Sequence, residues 1–120
     1  MELRELTSLV GVSGNEDEVR RAIMRELEAM GVSYETDTMG NIIARKGDKG
    51  PRLMVDAHMD EVGLIIVHIE KSGFLRFYPI GVPAAVLPSK RVLVGKDKVP
   101  GVIGAKAIHL QERRERDSVI

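Results

Sequence analysis

Hydrophobic positions in the first thirty residues recur at helical spacing and predict two helices, a short one over residues 2–10 and a longer one over 16–30. We expect Ser13 or Asn15 to cap the second helix, and Gly31 to end it in a left-handed conformation. The apolar positions of the first helix are Leu3, Leu6 and Val10, and those of the second are Val19, Ala22, Ile23, Leu27 and Met30.

Beyond Gly31 the apolar spacing changes to two, which is typical of strands. The run over residues 52–57 is rich in Leu, Met and Val, as in a strand buried in a mixed sheet. Residues 80–90 carry glycine and prolines and are predicted to form a loop. The predicted order is therefore two helices followed by about seven short strands. The predicted strands cover residues 32–38, 41–46, 52–57, 62–70, 74–79, 91–94 and 99–103.

Length and composition narrow the classes of function. The 120 residues suffice for one ordinary domain or two partial ones. Lys plus Arg equals Asp plus Glu at 18 each, so no net charge favours nucleic acid or an anionic membrane as partner. The chain has no cysteine, which excludes disulfides, thiolate zinc sites and cysteine nucleophiles. Without an apolar membrane span or signal segment, we expect a cytoplasmic protein.

His58-Met59-Asp60 is the sharpest chemical feature, because it directly follows the apolar run. A neutral imidazole is a good zinc or cobalt ligand, and a carboxylate two residues on can accept its other ring N–H. A structural or surface histidine is the alternative interpretation of this spacing. Glu61 extends the cluster or lies in a solvated loop. Asp56 is costly inside a buried run unless it is hydrogen-bonded or exposed.

The other candidate residues carry less chemistry. His68 lies in a predicted strand, on the face it would share with Leu64 and Ile66, and we expect a structural role. His109 has no carboxylate close in sequence and is a weaker candidate. The glycines near the second helix lack the ending of a phosphate-binding loop, and no serine-hydrolase elbow is present. The run 111–117 is highly charged, as in a solvated tail or helix start.

Five segments, taken together, resemble the N-terminal part of the tetrahedral, dodecameric metalloaminopeptidases. This family includes glutamyl and deblocking aminopeptidases, and some members carry an endoglucanase label. The resemblance spans nearly the whole chain, and its most specific segment is the one around His58. The segments are Gly11-Val12-Ser13-Gly14-Asn15-Glu16, Asp37-Thr38-Met39-Gly40-Asn41, Ala57-His58-Met59-Asp60-Glu61-Val62-Gly63, Gly73-Phe74-Leu75-Arg76-Phe77 and Pro100-Gly101-Val102-Ile103-Gly104-Ala105-Lys106.

The resemblance implies the start of an α/β metal-dependent exopeptidase domain over residues 1–68. Residues 69–120 would begin an inserted β-barrel-like domain used in subunit assembly. Two divalent metals, zinc or cobalt, would serve a complete site, where a metal-bound water attacks peptide substrates and a glutamate acts as base. His58 matches the first metal ligand, and Asp60 matches the carboxylate that orients it. The resemblance also implies a homo-oligomer.

The chain has roughly a third of the usual length of this family, and the family's other ligands and general base match no position in it. We therefore expect no turnover by this chain alone. Residues 81–85 and 105–109 also depart from the family pattern. A non-catalytic assembly or regulatory module that oligomerises through its β-domain is the alternative. A general binding domain with only structural likeness to the peptidases is a third interpretation.

Overall fold

A computed structural model describes residues 2–105 as a mixture of helices and short strands. Contacts divide the chain into two units, Met1–Glu61 and the part from Val62 onward. The boundary expected from the family resemblance, between residues 68 and 69, stays a prediction. His109 and the charged run 111–117 lie outside the described residues.

The first unit contains helices α1 (Leu3–Leu6) and α2 (Asp17–Ala29) and strands β1 (Tyr34–Thr36) and β2 (Ile42–Ala44). All four elements were predicted, and each is shorter than its hydrophobic pattern. The strands pair antiparallel, with Glu35 opposite Ile43. The β1–β2 connection is a tight turn in which the Asp37 N–H donates to the Asn41 carbonyl over 3.1 Å.

The C-terminal end of α2 forms as predicted, with Gly31 in the left-handed region at φ 65°. The Gly31 N–H donates to the Glu28 carbonyl over 3.0 Å, and the Val32 N–H donates to the Leu27 carbonyl over 2.9 Å. These two bonds use carbonyls that the last helical turn leaves without a partner.

The N-terminal end of α2 differs from the prediction, since neither Ser13 nor Asn15 caps the helix. Glu16 is the N-cap residue, and no side-chain hydrogen bond caps the helix there. Asn15 belongs instead to a preceding turn, where its N–H donates to the Val12 carbonyl over 2.7 Å. The Ser13 hydroxyl donates to Asp60, 47 residues away in sequence. Sequence alone favoured the local bond because the distant acceptor is invisible to a local pattern.

The buried part of the first unit lies under α2. Val19 and Ala22 are 6% and 4% exposed, and both belong to the predicted apolar stripe. Met30, at the end of that stripe, is 60% exposed and does not pack as predicted. The stripe ends early because the chain reverses at Gly31 immediately afterwards.

The predicted buried strand over residues 52–57 is wrong for the structure of this chain. No strand forms there, and Leu53, Met54 and Val55 are each more than 85% exposed. A strand needs a hydrogen-bonded neighbour, and none of residues 2–105 supplies one for this run. Asp56 is exposed as well, so its carboxylate stays hydrated and no desolvation free energy opposes its ionised form.

The second unit consists of two antiparallel hairpins, and their four strands were all predicted. Strands β3 (Gly63–Ile69) and β4 (Leu75–Ile80) form the first, and β5 (Arg91–Val94) and β6 (Val99–Val102) form the second. The predicted loop over 80–90 contains a short 3-10 helix, Ala84–Val86. No helix among the described residues is long and apolar enough to cross a membrane.

His68 does not lie on the predicted face of β3, because the strand contains a bulge. Ile66 lies opposite Phe77, whereas His68 lies opposite Arg76, so the register shifts between them. Because Phe77 and Arg76 are neighbours on β4, their side chains point to opposite faces of the hairpin. His68 therefore does not share a face with Ile66, and Val67 is the extra residue.

The second unit has its own small core, where Leu87 and Ile103 are 6% and 4% exposed. Two backbone hydrogen bonds hold this core together. The Ser89 N–H donates to the Ile103 carbonyl over 2.8 Å, and the Ile103 N–H donates to the Lys90 carbonyl over 2.9 Å. Much of the β3–β4 hairpin remains outside it, and its exposed apolar side chains include Ile65, Ile66, Val67, Ile69 and Tyr78.

Candidate functional site

The segment that carries His58 is fastened to the turn before α2 by its last residue, Glu61. The Glu61 N–H donates to the Gly11 carbonyl over 2.7 Å, and the Gly11 N–H donates to Glu61 Oε1 over 3.1 Å. Val12 and Glu61 also form a parallel bridge. Backbone and side chain of one glutamate thus join two segments fifty residues apart. Glu61 is exposed, as the solvated-loop interpretation expects, and it also fastens this segment to the turn before α2.

Glycine at position 11 lets these segments approach closely. A Cβ atom there would lie 2.8 Å from Val19 Cγ2 and 3.1 Å from the Met59 carbonyl oxygen. Both distances are shorter than ordinary van der Waals contact, and the carbonyl belongs to the backbone beside His58. Any larger side chain would push the turn away from the 58–61 segment.

His58 and Asp60 are brought together as the sequence predicted. His58 Nδ1 lies 3.0 Å from Asp60 Oδ1 and 3.0 Å from the Asp60 carbonyl oxygen. The His58 side chain is 84% exposed and that of Asp60 is 42% exposed. Both acceptors favour the tautomer with the proton on Nδ1, which leaves the Nε2 lone pair directed away from Asp60.

Ser13 completes the cluster and was not predicted to belong to it. Its hydroxyl donates to Asp60 Oδ2 over 2.5 Å, so the two carboxylate oxygens have different partners. The Ser13 hydrogen bond lowers the pKa of the Asp60 carboxyl below its usual range, and the His58 ring lowers this pKa further, against the effect of burial. The carboxylate is therefore ionised at neutral pH.

This cluster fits one metal ligand with its supporting carboxylate, because an imidazole that donates from Nδ1 to a carboxylate is the usual outer arrangement of a metal-binding histidine. A catalytic zinc takes three protein ligands. Among residues 2–105, no three His, Asp or Glu side chains are grouped closely enough to hold a metal. The described residues therefore contain no complete metal site, and His58 stays a predicted ligand.

Of the remaining candidates, Asp56 and His68 lie among the described residues. Asp56 is exposed and makes no hydrogen bond in the described structure that connects it to His58. His68 belongs to the second unit and is exposed on β3. His109 lies outside the described residues. The roles of His58 as ligand and Asp60 as its orienting carboxylate stay predictions.

Comparison with known proteins decides the family. The family model of the M42 glutamyl aminopeptidases matches residues 40–120, about two thirds of the chain. This chain belongs to the M42 aminopeptidase family. The identification made from the five sequence segments is thereby confirmed. The matched region includes His58 and Asp60 and both hairpins.

Comparison with individual relatives shows what share of their length this chain covers. Lysyl aminopeptidase of Pyrococcus furiosus is 36% identical over 117 residues, which cover 94% of this chain and 33% of that protein. A Thermotoga maritima structure described as an endoglucanase is 43% identical, with a TM-score of 0.77, and covers 88% of this chain and 34% of its own.

The TET1 peptidase of Pyrococcus horikoshii is similar across nearly the whole chain. It is 37% identical with a TM-score of 0.77, over 98% of this chain and 36% of that one, and it is described as assembling into a tetrahedron or a large octahedral shell. This chain thus spans about a third of the length of the relatives it matches.

Proposed function

We propose that this chain forms the N-terminal part of the catalytic domain, and the beginning of the inserted assembly domain, of a metal-dependent aminopeptidase. The observation that carries the proposal is the pairing of His58 Nδ1 with Asp60 Oδ1 at 3.0 Å, beside an exposed ring. It occurs within a segment matched by the M42 family. The residue type, tautomer and exposure all suit a first metal ligand.

In this proposal His58 binds one of two divalent cations, zinc or cobalt, through Nε2. Asp60 accepts a hydrogen bond from the Nδ1–H of His58 and keeps the ring in the tautomer and orientation that metal binding needs. When bound in the complete enzyme, the metals would supply Lewis-acid chemistry, which would polarise the peptide carbonyl and activate a water. One imidazole does not select between zinc and cobalt, since both accept nitrogen ligands.

The chain by itself is proposed to be inactive. The described residues provide one metal ligand, whereas a catalytic zinc site requires three. Complete relatives are about three times as long, and the remaining ligands and the general base are proposed to lie in the part that has no counterpart here. Peptides are the proposed substrates of the complete enzyme.

Two further properties are proposed from the relatives and the composition. The TET1 peptidase assembles into shells, so a homo-oligomer is proposed for the complete protein. A cytoplasmic location is proposed because the sequence contains no cysteine for stabilising disulfides.

Metal binding tests the role of His58 in the chain as it stands. Zn²⁺ is titrated into purified protein while the imidazole ¹⁵N shifts of His58 and His68 are followed by NMR. We expect the His58 Nε2 resonance to move with Zn²⁺ at concentrations that leave His68 unchanged. His58→Ala should abolish this binding. His68→Ala, which removes another exposed histidine, on β3, should retain it.

Equal responses of the two histidines would show ordinary surface binding and would refute the assignment of His58. Aminopeptidase assays with an aminoacyl-anilide, cobalt or zinc, and a chelator control test the proposed inactivity. Mass spectrometry must confirm that no longer protein contaminates the sample. Metal-dependent cleavage by the intact 120-residue chain would contradict the proposed incomplete site.

A non-catalytic assembly module is the second candidate, and exposed apolar side chains on the β3–β4 hairpin favour it. Ile66, Val67 and Ile69 are 43%, 61% and 65% exposed. Long strands that expose apolar side chains are surfaces on which other chains can pair. A defined oligomer that binds no metal at His58 would favour this candidate over the peptidase fragment.

A further inference from the structure

We infer that Ser13 is a positioning residue for the proposed metal ligand, acting through Asp60. This inference rests on the proposed function of His58. The Ser13 hydroxyl donates to Asp60 Oδ2, while Oδ1 of the same carboxylate faces His58 Nδ1. The three side chains thus form a chain of two hydrogen bonds that connects the turn before α2 with the exposed imidazole.

The helix does not require the Ser13 hydroxyl. The N-cap of α2 is Glu16, and no side chain caps it by a hydrogen bond. Helix capping, the usual reason for a serine at this kind of position, is therefore excluded as the function of the hydroxyl. Its hydrogen bond to Asp60 is the contact that gives this serine a role.

The turn that carries Ser13 is held at a fixed distance from the 58–61 segment. Glu61 bonds both the N–H and the carbonyl of Gly11, at 3.1 and 2.7 Å. Gly11 leaves no room for a Cβ between Val19 and the Met59 carbonyl. Ser13 therefore approaches Asp60 from an anchored backbone, which limits where the carboxylate can turn.

Asp60 needs such support because its contact with His58 is exposed to water. An exposed pair of a carboxylate and an imidazole is weakly held by itself, since solvent screens it and both side chains lose rotamer freedom. His58 is 84% exposed. A hydrogen bond from Ser13 to Oδ2 fixes the rotation of the carboxylate and leaves Oδ1 directed at Nδ1.

The test compares two variants of equal shape, Ser13→Thr and Ser13→Val, which differ in whether they keep the hydroxyl. The tautomer of His58 is read from its imidazole ¹⁵N shifts without metal, at a pH above which those shifts no longer change. We expect Ser13→Thr to retain the wild-type Nδ1–H tautomer. Ser13→Val should shift the population toward the Nε2–H tautomer.

A control at another serine of the same unit tests whether the change in the His58 tautomer is specific to Ser13. Ser8 donates its hydroxyl to the Glu5 carbonyl over 2.7 Å, within the turn that ends α1. Ser8→Ala should leave the His58 tautomer unchanged. Amide spectra of each variant confirm that the first unit remains folded, and comparing the Thr and Val variants corrects for strain from the added methyl group.

Zn²⁺ titration of the same variants provides the second readout. Ser13→Val should weaken binding at His58 about tenfold, as expected for loss of an outer hydrogen-bond partner, and Ser13→Thr should bind as the wild type does. An unchanged tautomer in Ser13→Val would overturn the inference. A shifted tautomer, together with wild-type zinc binding by His58→Ala, would instead support the role of Ser13 and refute the proposed function.

Discussion

At the scale of single residues, the site depends on contacts between positions that are distant in sequence. The pairing of His58 with Asp60 was predictable because both lie within three residues and their chemistry is complementary. The bond from Ser13 to Asp60 was not, because local spacing assigned that hydroxyl to the following helix. Long-range acceptors leave no periodic pattern, so a single sequence identifies only the local half of such a cluster.

The close approach at Gly11 gives the first stability prediction. Gly11→Ala should reduce the free energy of unfolding by about 1–3 kcal/mol, because the new methyl group meets Val19 and the Met59 carbonyl. Urea denaturation measures the change. Gly104→Ala is the matched control, since nothing lies within 4 Å of its added Cβ. Equal stability of both variants would show that the turn does not pack as described.

At the scale of elements, local signals were reliable where a hairpin or helix is complete within the described chain. Both helices and six of the seven predicted strands are present, and the turn at Gly31 forms as predicted. The run over residues 52–57 failed because its apolar composition predicts a buried strand only if other strands flank it. The bulge in β3 also escaped prediction, since no local sequence pattern places an extra residue at Val67.

The guanidinium of Arg20 links α2 to the β1–β2 turn. Its Nε donates to the Gly40 carbonyl over 2.9 Å, and its side chain is 23% exposed. Arg20→Lys should lower the free energy of unfolding by about 1 kcal/mol, because the ammonium group cannot reproduce this planar donor geometry.

Arg21→Lys is the control, because Arg21 is an exposed neighbour on the same helix, and it should change the free energy of unfolding by less than about 0.5 kcal/mol. Chemical denaturation of the two variants compares them directly, and matching losses would contradict a specific role for Arg20.

The β1–β2 turn should weaken at acidic pH through Asp37. The side-chain amide of Asn41 donates to Asp37 Oδ2 over 2.7 Å, and backbone N–H groups of Asn41 and Met39 donate to Oδ1. These hydrogen bonds lower the pKa of Asp37 below the value of 3.8 for the unfolded chain, and the bond from the Asn41 side chain has the largest effect. Their stabilisation is complete above the unfolded pKa and is lost as the pH falls through the lowered folded pKa.

A carboxyl ¹³C NMR titration checks this behaviour. Asn41→Ala should raise the pKa of Asp37 toward 3.8, whereas Asn15→Ala, in the turn before α2, should leave it unchanged. If the Asp37 pKa in the Asn41 variant stayed as low as in the wild type, the hydrogen bonds described here would not be its cause.

At the scale of the whole molecule, the chain belongs to the M42 family and spans about a third of the length of its relatives. Family membership follows from the match over residues 40–120. The described residues bring one histidine and its carboxylate together, and no group of three ligands. Sequence motifs were sufficient to name the family, whereas the contact between Ser13 and Asp60 required the structure.

The exposed hairpin predicts association of the chain with itself. Val67→Lys places a charge at the bulge of β3, on a side chain that is 61% exposed, and should lower the oligomeric mass measured by light scattering. Leu3→Lys changes an exposed apolar residue of α1 in the same way, away from the hairpin, and should have no effect. A monomeric wild-type chain, or equal effects of both variants, would refute association through β3.

The most direct test of the central claim places this chain in a complete enzyme. The third of Pyrococcus furiosus lysyl aminopeptidase that aligns with this chain is replaced by this sequence, and aminoacyl-anilide cleavage is measured with cobalt or zinc. We predict metal-dependent cleavage that His58→Ala reduces more than the roughly 100-fold maximum for an outer hydrogen-bond partner, while His68→Ala leaves it nearly unchanged. A folded, active chimera in which His58→Ala cleaves as fast as His68→Ala would contradict the account.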